Sequence, residues 1–327
     1  MQPLLRSWLL ARMDEQPGVI YQHPLAYLLG LEGIALLHAF GGEYDEEFTL
    51  DRIEECRALL EIPERLGPGG FASPMPTQDG YREWAIGYDS PGNQLIEIEQ
   101  PIVWEILGGL PVGVALDAAC GTGRHAARLV KLGHTVIGVD NSQEMLGVAS
   151  RKIPDADLRL GELDQLPLAD GSVDTVVCGL ALTHVPDLQS VFREFARVLR
   201  PGGHLVTSDS RGLIEGVGLP MPVSRPDGGT AYMPVWQRRA SDYLGAALPL
   251  GLEVRRCEEP RRPSPLVRSD GSATADPVGE PAPAHDPDDL PYIWALHPFS
   301  PSAANATYRA LPAAIIWHFQ KRTQART

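Results

Sequence analysis

Between Val112 and about Asp209, short apolar runs alternate with helical segments, and this alternation limits the fold more than any other feature of the 327-residue chain. The runs that read as strands fall at 112–118, 135–140, 156–161, 173–179 and 204–209, with helical stretches between them at 123–132, 142–152 and 188–199. The apolar runs are continuous and not interleaved with polar residues, so both faces of each strand are expected to be covered. Strands joined by crossover helices pair in parallel. The pattern predicts a doubly wound, Rossmann-like α/β domain.

The flanks read differently. Before the core, apolar residues recur at helical spacing through Leu25, Leu28, Leu29, Ile34, Leu36 and Leu37, and again through Leu50, Ile53, Leu59 and Leu60 behind an expected N-cap at Thr49. A Gly/Pro-rich break follows at 67–76. The reading is a helical N-terminal cap and cofactor lid over residues 1–105 and a core over 106–327, with insertions at about 210–236 and 260–312. Within that second part the sequence predicts a helix near 237–248 and strands at 252–259 and 313–320. Residues 260–290 are dense in Pro, Ser, Asp and Gly and carry too few apolar side chains to offset the entropy of ordering, so they read as a loop.

Charge excludes some partners. The 42 acidic and 28 basic side chains leave a net −14, and residues 1–100 hold 17 Asp and Glu against 6 Arg. A surface of that sign repels phosphate backbones and anionic headgroups, so neither nucleic acid nor a membrane is expected as partner. Cys56, Cys120, Cys178 and Cys257 lie far apart with no CxxC and no clustered His, which suggests neither a disulfide frame nor a metal site and fits a reducing cytoplasm. The longest apolar segment, Pro24 to Phe40, contains Glu32 and falls short of the roughly 20 residues that span a bilayer. No targeting signal is read at the N-terminus, and the sequence leaves room for a homodimer.

The chemistry concentrates in LDAACGTG, Leu116 to Gly123, where the first core strand turns into its helix. Glycines there let a ligand approach the backbone, with helix N-terminal amides directed at it. Gly121, Gly123 and Ala126 fit G-x-G-x-x-A, and Asp140 ends the next strand where ribose hydroxyls would lie, so the loop alone also describes a dinucleotide fingerprint. Asp117, at the tip of the first strand, shifts the balance. A carboxylate there opposes a pyrophosphate and favours a cationic ligand, and S-adenosyl-L-methionine has the ribose and the positive charge without the phosphates.

Five stretches in order, LDAACGTG, VIGVDNSQEML, GELDQLPLADGSVD, LALTHVPD and FARVLRPGGHLVTSD, make residues 112–209 resemble the class I S-adenosylmethionine-dependent methyltransferases, in particular the ubiquinone/menaquinone-methyltransferase-like group of bacterial small-molecule enzymes. The resemblance implies a seven-stranded, mostly parallel sheet with an antiparallel last strand. It also implies S-adenosyl-L-methionine as cofactor and a small-molecule methyl acceptor. Carried over position by position, Gly121 and Gly123 line the methionine part and Asp117 lies near its amino group. Asp140, with Asn141 beside it, takes the ribose hydroxyls, and Met145 packs on the adenine. Glu162 stands where the family most often has Asp, and Leu163 offers a backbone contact to the ring. Cys178, Gly179 and Leu180 wall the methionine chain, and Ala119 replaces the family's usual Gly. The stretch Tyr88 to Asn93, YDSPGN, is similar to one that closes over the cofactor in such enzymes.

Simpler roles compete with several of these. Met145 is equally a core residue, and Cys120 and Cys178 suit small wall residues better than nucleophiles, since no neighbouring cation is evident to activate a thiol. His184 and Tyr88 are the candidate catalytic residues. An imidazole can accept the acceptor's proton near neutral pH, although a histidine there can be purely structural. Trp84, Tyr88 and Asn93 read as a lid, or as packing on a linker. Tyr232, Trp236, Tyr243, Tyr292 and Trp294 are placed in the segments expected to build the acceptor pocket, with core packing as the alternative for any one. The expected activity is methyl transfer to oxygen, nitrogen or carbon of a small molecule in biosynthesis. A non-methylating catalyst using the same cofactor, a cofactor-sensing protein and an NAD-linked oxidoreductase are the alternatives.

Overall fold

The computed structural model describes residues 18–84, 93–212, 218–224, 230–262, 265–268, 285–287 and 293–323. Its first part comprises β1 (Ile20–Gln22), α1 (Pro24–Phe40), α2 (Glu46–Leu60), α3 (Pro63–Leu66), β2 (Gly70–Pro74), α4 (Thr77–Trp84) and α5 (Gln94–Gly108). The core follows as β3 (Val114–Ala118), α6 (Arg124–Lys131), β4 (Thr135–Asp140), α7 (Gln143–Lys152), β5 (Asp157–Leu160), β6 (Val173–Gly179), α8 (Leu188–Val198) and β7 (Leu199–Ser210). Then come β8 (Met221–Ser224), β9 (Thr230–Met233), α9 (Ala240–Ala247), β10 (Leu252–Glu258), α10 (Ile293–Leu296), α11 (Pro301–Ala310) and β11 (Ala314–Lys321).

Seven strands form one sheet in the order β10-β11-β7-β6-β3-β4-β5. Strands β7, β6, β3, β4 and β5 are parallel, and β11 runs antiparallel between β7 and β10. Successive residues of a strand point to opposite faces, and here both faces are covered. Leu116, Val176, Leu205, Ile315 and Phe319 join Phe192, Phe195 and Tyr243 on one side. Their sequence neighbours Ala115, Val177, Val206 and Ile316 join Val103, Leu107, Ala126 and Leu129 on the other. That two-sided burial is why the runs in the sequence are continuously apolar.

The cap differs from an all-helical reading. Strand β1 pairs antiparallel with β2, β2 pairs parallel with β9, and β9 pairs antiparallel with β8, giving a second sheet of order β1-β2-β9-β8. Its apolar core unites Leu28, Leu31 and Leu59 with Met233, Trp294, Leu296 and Ala304. The packing unit therefore draws on residues beyond 210 as well as the first hundred. Helix α2 begins one turn before the expected cap: Asp45, not Thr49, accepts the Phe48 N–H at 2.9 Å and fixes the start at Glu46. Helix α11 lies in a region read as an insertion. Among the described residues no helix is long and apolar enough to cross a membrane, and the four cysteines are free.

Candidate active site

At the carboxyl ends of β3, β4 and β6 a cavity of about 260 Å³ opens, as expected where an open α/β sheet binds ligands. Its floor is the turn from β3 to α6. Gly121 and Gly123 have φ of +52° and +81°, a left-handed geometry that side chains resist. Ala119, also on the lining, adopts φ +57° despite its Cβ. The turn is closed by its own backbone, Cys120 N–H donating to Val139 C=O at 2.9 Å and Gly123 N–H to Cys120 C=O at 2.8 Å.

Asp140 braces this turn. One carboxylate oxygen accepts the Gly121 N–H at 2.7 Å and the other accepts the Ser142 N–H at 2.9 Å. Burial raises its carboxyl above the ordinary Asp range, against the pull of those amides. Ser142 caps α7 by accepting the Met145 N–H at 3.2 Å, which sets Met145, 2% exposed, into the cavity wall. Asn141 donates its side-chain amide to Glu162 at 3.1 Å, and both residues line the cavity with Leu163.

The turn after β6 supplies the facing wall. Gly179, Leu180 and His184 line it, and Leu180 has φ +57° while its N–H donates to Ser208 C=O at 2.9 Å. Two unfavourable backbone conformations flanking one cavity, at Ala119 and Leu180, are the kind of strain that collects at functional sites. His184 Nδ1 lies 3.0 Å from Pro234 C=O, which can only accept, so Nδ1 carries the proton and Nε2 the lone pair. Burial lowers its pKa and keeps the ring neutral. The ring meets Tyr81 edge-on at 5.5 Å.

Helix α4 of the cap roofs the cavity with Thr77 and Tyr81. It is docked by Gln78, whose amide donates to Asn141 C=O at 3.2 Å, and by Arg82, which reaches Glu144 at 3.2 Å.

Three expected residues are placed elsewhere. Asp117, 1% exposed, lies beneath the turn and off the lining, where one oxygen accepts the Ala126 N–H at 2.7 Å and the other has no protein partner. Burial pushes its carboxyl up to about 6 in spite of His125 and the Ala126 amide. Gly123 and Cys178 are likewise absent from the lining. Burial raises the Cys120 and Cys178 thiols, so neither is a nucleophile near neutral pH. Tyr88 and Tyr292 lie outside the described residues. Of the other aromatics, Tyr243 donates to Asp209 at 2.6 Å within the core and Trp294 is buried in the cap.

A charged cluster beside the cavity was not read from the sequence. Glu99 on α5, fully buried, accepts Arg124 Nη1 at 2.7 Å and Ser208 Oγ at 2.5 Å, and lies 3.2 Å from His125 Nε2. Burial alone would raise the Glu99 carboxyl, but Arg124, His125 and Ser208 hold it down to about 2. Gly179 makes the arrangement possible, since a Cβ there would come within 2.4 Å of His125 Nε2. The position of Arg124 and His125 directly after the glycine turn was a signal available in the sequence.

Residues 116–207 match the methyltransferase domain family. Malonyl-acyl-carrier protein O-methyltransferase of Yersinia pestis is 36% identical over 162 residues, covering 49% of this chain and 56% of its own. Demethylmenaquinone methyltransferase of Staphylococcus saprophyticus is 39% identical over 125 residues, 35% of this chain and 54% of its own. The chain thus spans about half the length of the curated relatives it matches. A crystal structure described as an S-adenosylmethionine dependent methyltransferase from Mesorhizobium loti superposes on 68% of this chain and 97% of its own, with 22% identity and a TM-score of 0.46. The sheet order, the glycine turn braced by Asp140 and the match over residues 116–207 agree, and that segment is a methyltransferase domain of the class I S-adenosylmethionine-dependent type.

Proposed function

We propose that the protein transfers the methyl group of S-adenosyl-L-methionine to a small-molecule acceptor, as an enzyme of biosynthesis in the cytoplasm. The observation that carries this reading is the single cavity in which Gly121, Asp140, Met145, Glu162, Leu180 and His184 converge. The lining fits the cofactor in kind. Asp140 presents a carboxylate suited to a ribose diol, Met145 an apolar face suited to adenine, and Asp117 beneath the turn adds negative charge that suits a cation. Asp117, Gly123 and Cys178 would act from behind this surface by holding the turn and the wall.

Bound S-adenosylmethionine supplies an electrophilic methyl on a cationic sulfur. The chain's own task is alignment and exclusion of water. The turn 179–184 sets the wall against which an acceptor lies, and Tyr81 and Thr77 cover it from the cap. His184 Nε2 is available to take a proton from an acceptor hydroxyl or amine. The neutral lining contributed by Thr77, Tyr81, Leu180, Ala181 and Val185 suits an uncharged, apolar acceptor. The name of one group of relatives, demethylmenaquinone methyltransferase, favours a small biosynthetic metabolite.

The test is direct. Calorimetry should detect S-adenosylhomocysteine binding and no NAD binding. With methyl-labelled cofactor and cell extract, label should appear in the small-molecule filtrate; label confined to protein or nucleic acid would overturn the acceptor class.

A further inference from the structure

The turn that carries His184 is held by two elements. The end of β7 makes two bonds to it: Leu180 N–H donates to Ser208 C=O at 2.9 Å, and Thr183 N–H donates to Asp209 Oδ1 at 3.0 Å. The segment leaving β9 makes more. Trp236 N–H donates to Thr183 C=O at 2.8 Å, His184 Nδ1–H to Pro234 C=O at 3.0 Å, and the Arg238 guanidinium to Val185 C=O. Thr183 is thus gripped at both of its backbone groups, the N–H by the core sheet and the C=O by a segment continuous with the cap sheet.

Asp209 is costly where it stands. It is 1% exposed, and besides the Thr183 N–H it accepts the Ser210 N–H at 3.1 Å and the Tyr243 hydroxyl at 2.6 Å. Apolar packing of the same volume stabilises a core at least as well as a buried carboxylate does, so such a group is retained for orientation more than for stability. A carboxylate accepts a main-chain N–H strongly and at fixed geometry. That hold matters here because Leu180, which opens the turn, sits at φ +57°, a conformation that persists only where its surroundings impose it. A general base in turn works only when its ring is placed to well within an ångström.

We infer that Asp209 is a positioning residue for His184, a role that rests on the reading of His184 above and deepens it. Through the Thr183 N–H it fixes the turn so that Nδ1 meets the Pro234 carbonyl and Nε2 keeps its lone pair for the acceptor. Asp209 itself is off the cavity lining and acts only through the turn. Pro234 directly follows β9, which ends at Met233, so the orientation of the base also depends on the cap sheet being formed.

The tautomer of His184 reads this out without an identified acceptor. With histidine labelled at both ring nitrogens, long-range proton–nitrogen NMR of the full chain separates a protonated Nδ1 from a protonated Nε2, and His184→Asn assigns the signal. The wild type should show Nδ1–H. Asp209→Ala should lose that preference and show the mixture of a free imidazole, and Asp209→Asn, which keeps an oxygen for the Thr183 N–H, should restore it. Phe319→Leu loosens the same apolar core at Leu205, toward the other end of β7, and should leave the ring as in the wild type. Transfer of label from methyl-labelled cofactor to the small-molecule filtrate should fall at least about tenfold in Asp209→Ala and recover in Asp209→Asn. An Nε2–H ring in the wild type, an unchanged ring in folded Asp209→Ala, or an equal change in Phe319→Leu overturns the positioning role. The expected spectra with no loss of transfer in His184→Asn would instead overturn the base and leave the positioning standing. Should Asp209→Ala not fold, Asp209→Ser, polar but one bond short of the Thr183 N–H, takes its place.

Discussion

The Oδ2 atom of Asp140 accepts the N–H of Gly121 at 2.7 Å, so the end of the second core strand is tied to the turn that follows the first. One carboxylate therefore braces the floor of the cavity and also presents charge to it. Replacing Asp140 by Ala removes both contributions. Charge-assisted bonds are worth about 1.5–3 kcal/mol each, so calorimetry should show S-adenosylhomocysteine binding weakened by more than tenfold, with the fold retained by circular dichroism. Unchanged affinity would exclude Asp140 from the site.

Ala119 is held at φ +57°, where a Cβ costs about 1–2 kcal/mol. Ala119→Gly relieves that cost and gives back some through the freer unfolded chain, leaving a net gain near 1 kcal/mol. Denaturant unfolding measures it. A destabilised variant would mean that the methyl group is needed for packing.

Gly179→Ala has the opposite sign. Its Cβ would sit within 2.4 Å of His125 and 3.4 Å of the Glu99 carboxylate, neither free to retreat in a buried ion cluster. A loss of about 1–3 kcal/mol is expected, together with weaker S-adenosylhomocysteine binding. A variant as stable as wild type would show that His125 has room to move.

Asp117 opposes stability at neutral pH. Its carboxyl is pushed up to about 6 in the folded chain from an ordinary value of 3.8, so the native state prefers it protonated. The stability it contributes is full below about pH 4 and is lost as pH rises through about 6. Asp117→Asn keeps an oxygen for the Ala126 N–H and removes the charge. At pH 8 it should stabilise the protein by as much as about 3 kcal/mol and flatten the slope between those values, while weakening cofactor binding. Equal pH profiles for variant and wild type would contradict the assignment.

His184 titrates below its ordinary value because it is buried. As a base it must be neutral, so activity should fall only as pH drops below that depressed value, and a plateau should hold through neutrality. His184→Asn should lower kcat with little effect on cofactor affinity. A kcat unchanged by the substitution would leave His184 a purely structural role.

The parts of this molecule legible in the sequence are those where local pattern and burial coincide. Leu116, Val176 and Val206 lie in continuous apolar runs because the sheet is covered on both faces. Gly121 and Asp140 announce themselves by chemistry at a strand end. Strands β1, β2, β8 and β9 do not, being three to five residues long and paired across large separations, as when Ser73 meets Ala231. Helix α11 hides because its buried positions are Ala303, Ala304, Ala306 and Thr307, too small to mark an apolar face. Glu99 is indistinguishable in sequence from the exposed Glu97 two residues earlier. Only tertiary packing makes one a surface charge and the other the centre of a buried cluster.

The parallel pairing of β2 with β9 has a consequence for how the protein is made. A ribosome releases residues 18–84 early, yet their sheet lacks its middle neighbour until residue 233 emerges, and Leu28 and Leu31 lack Trp294 and Leu296 until later still. Contacts this distant along the chain form slowly, and the apolar surfaces that await them are exposed in the interval. Residues 18–84 are thus made before the core sheet and completed after it, and a nascent chain halted after β7 would hold a finished parallel sheet beside an unfinished cap, a state for which chaperone contact would be most valuable.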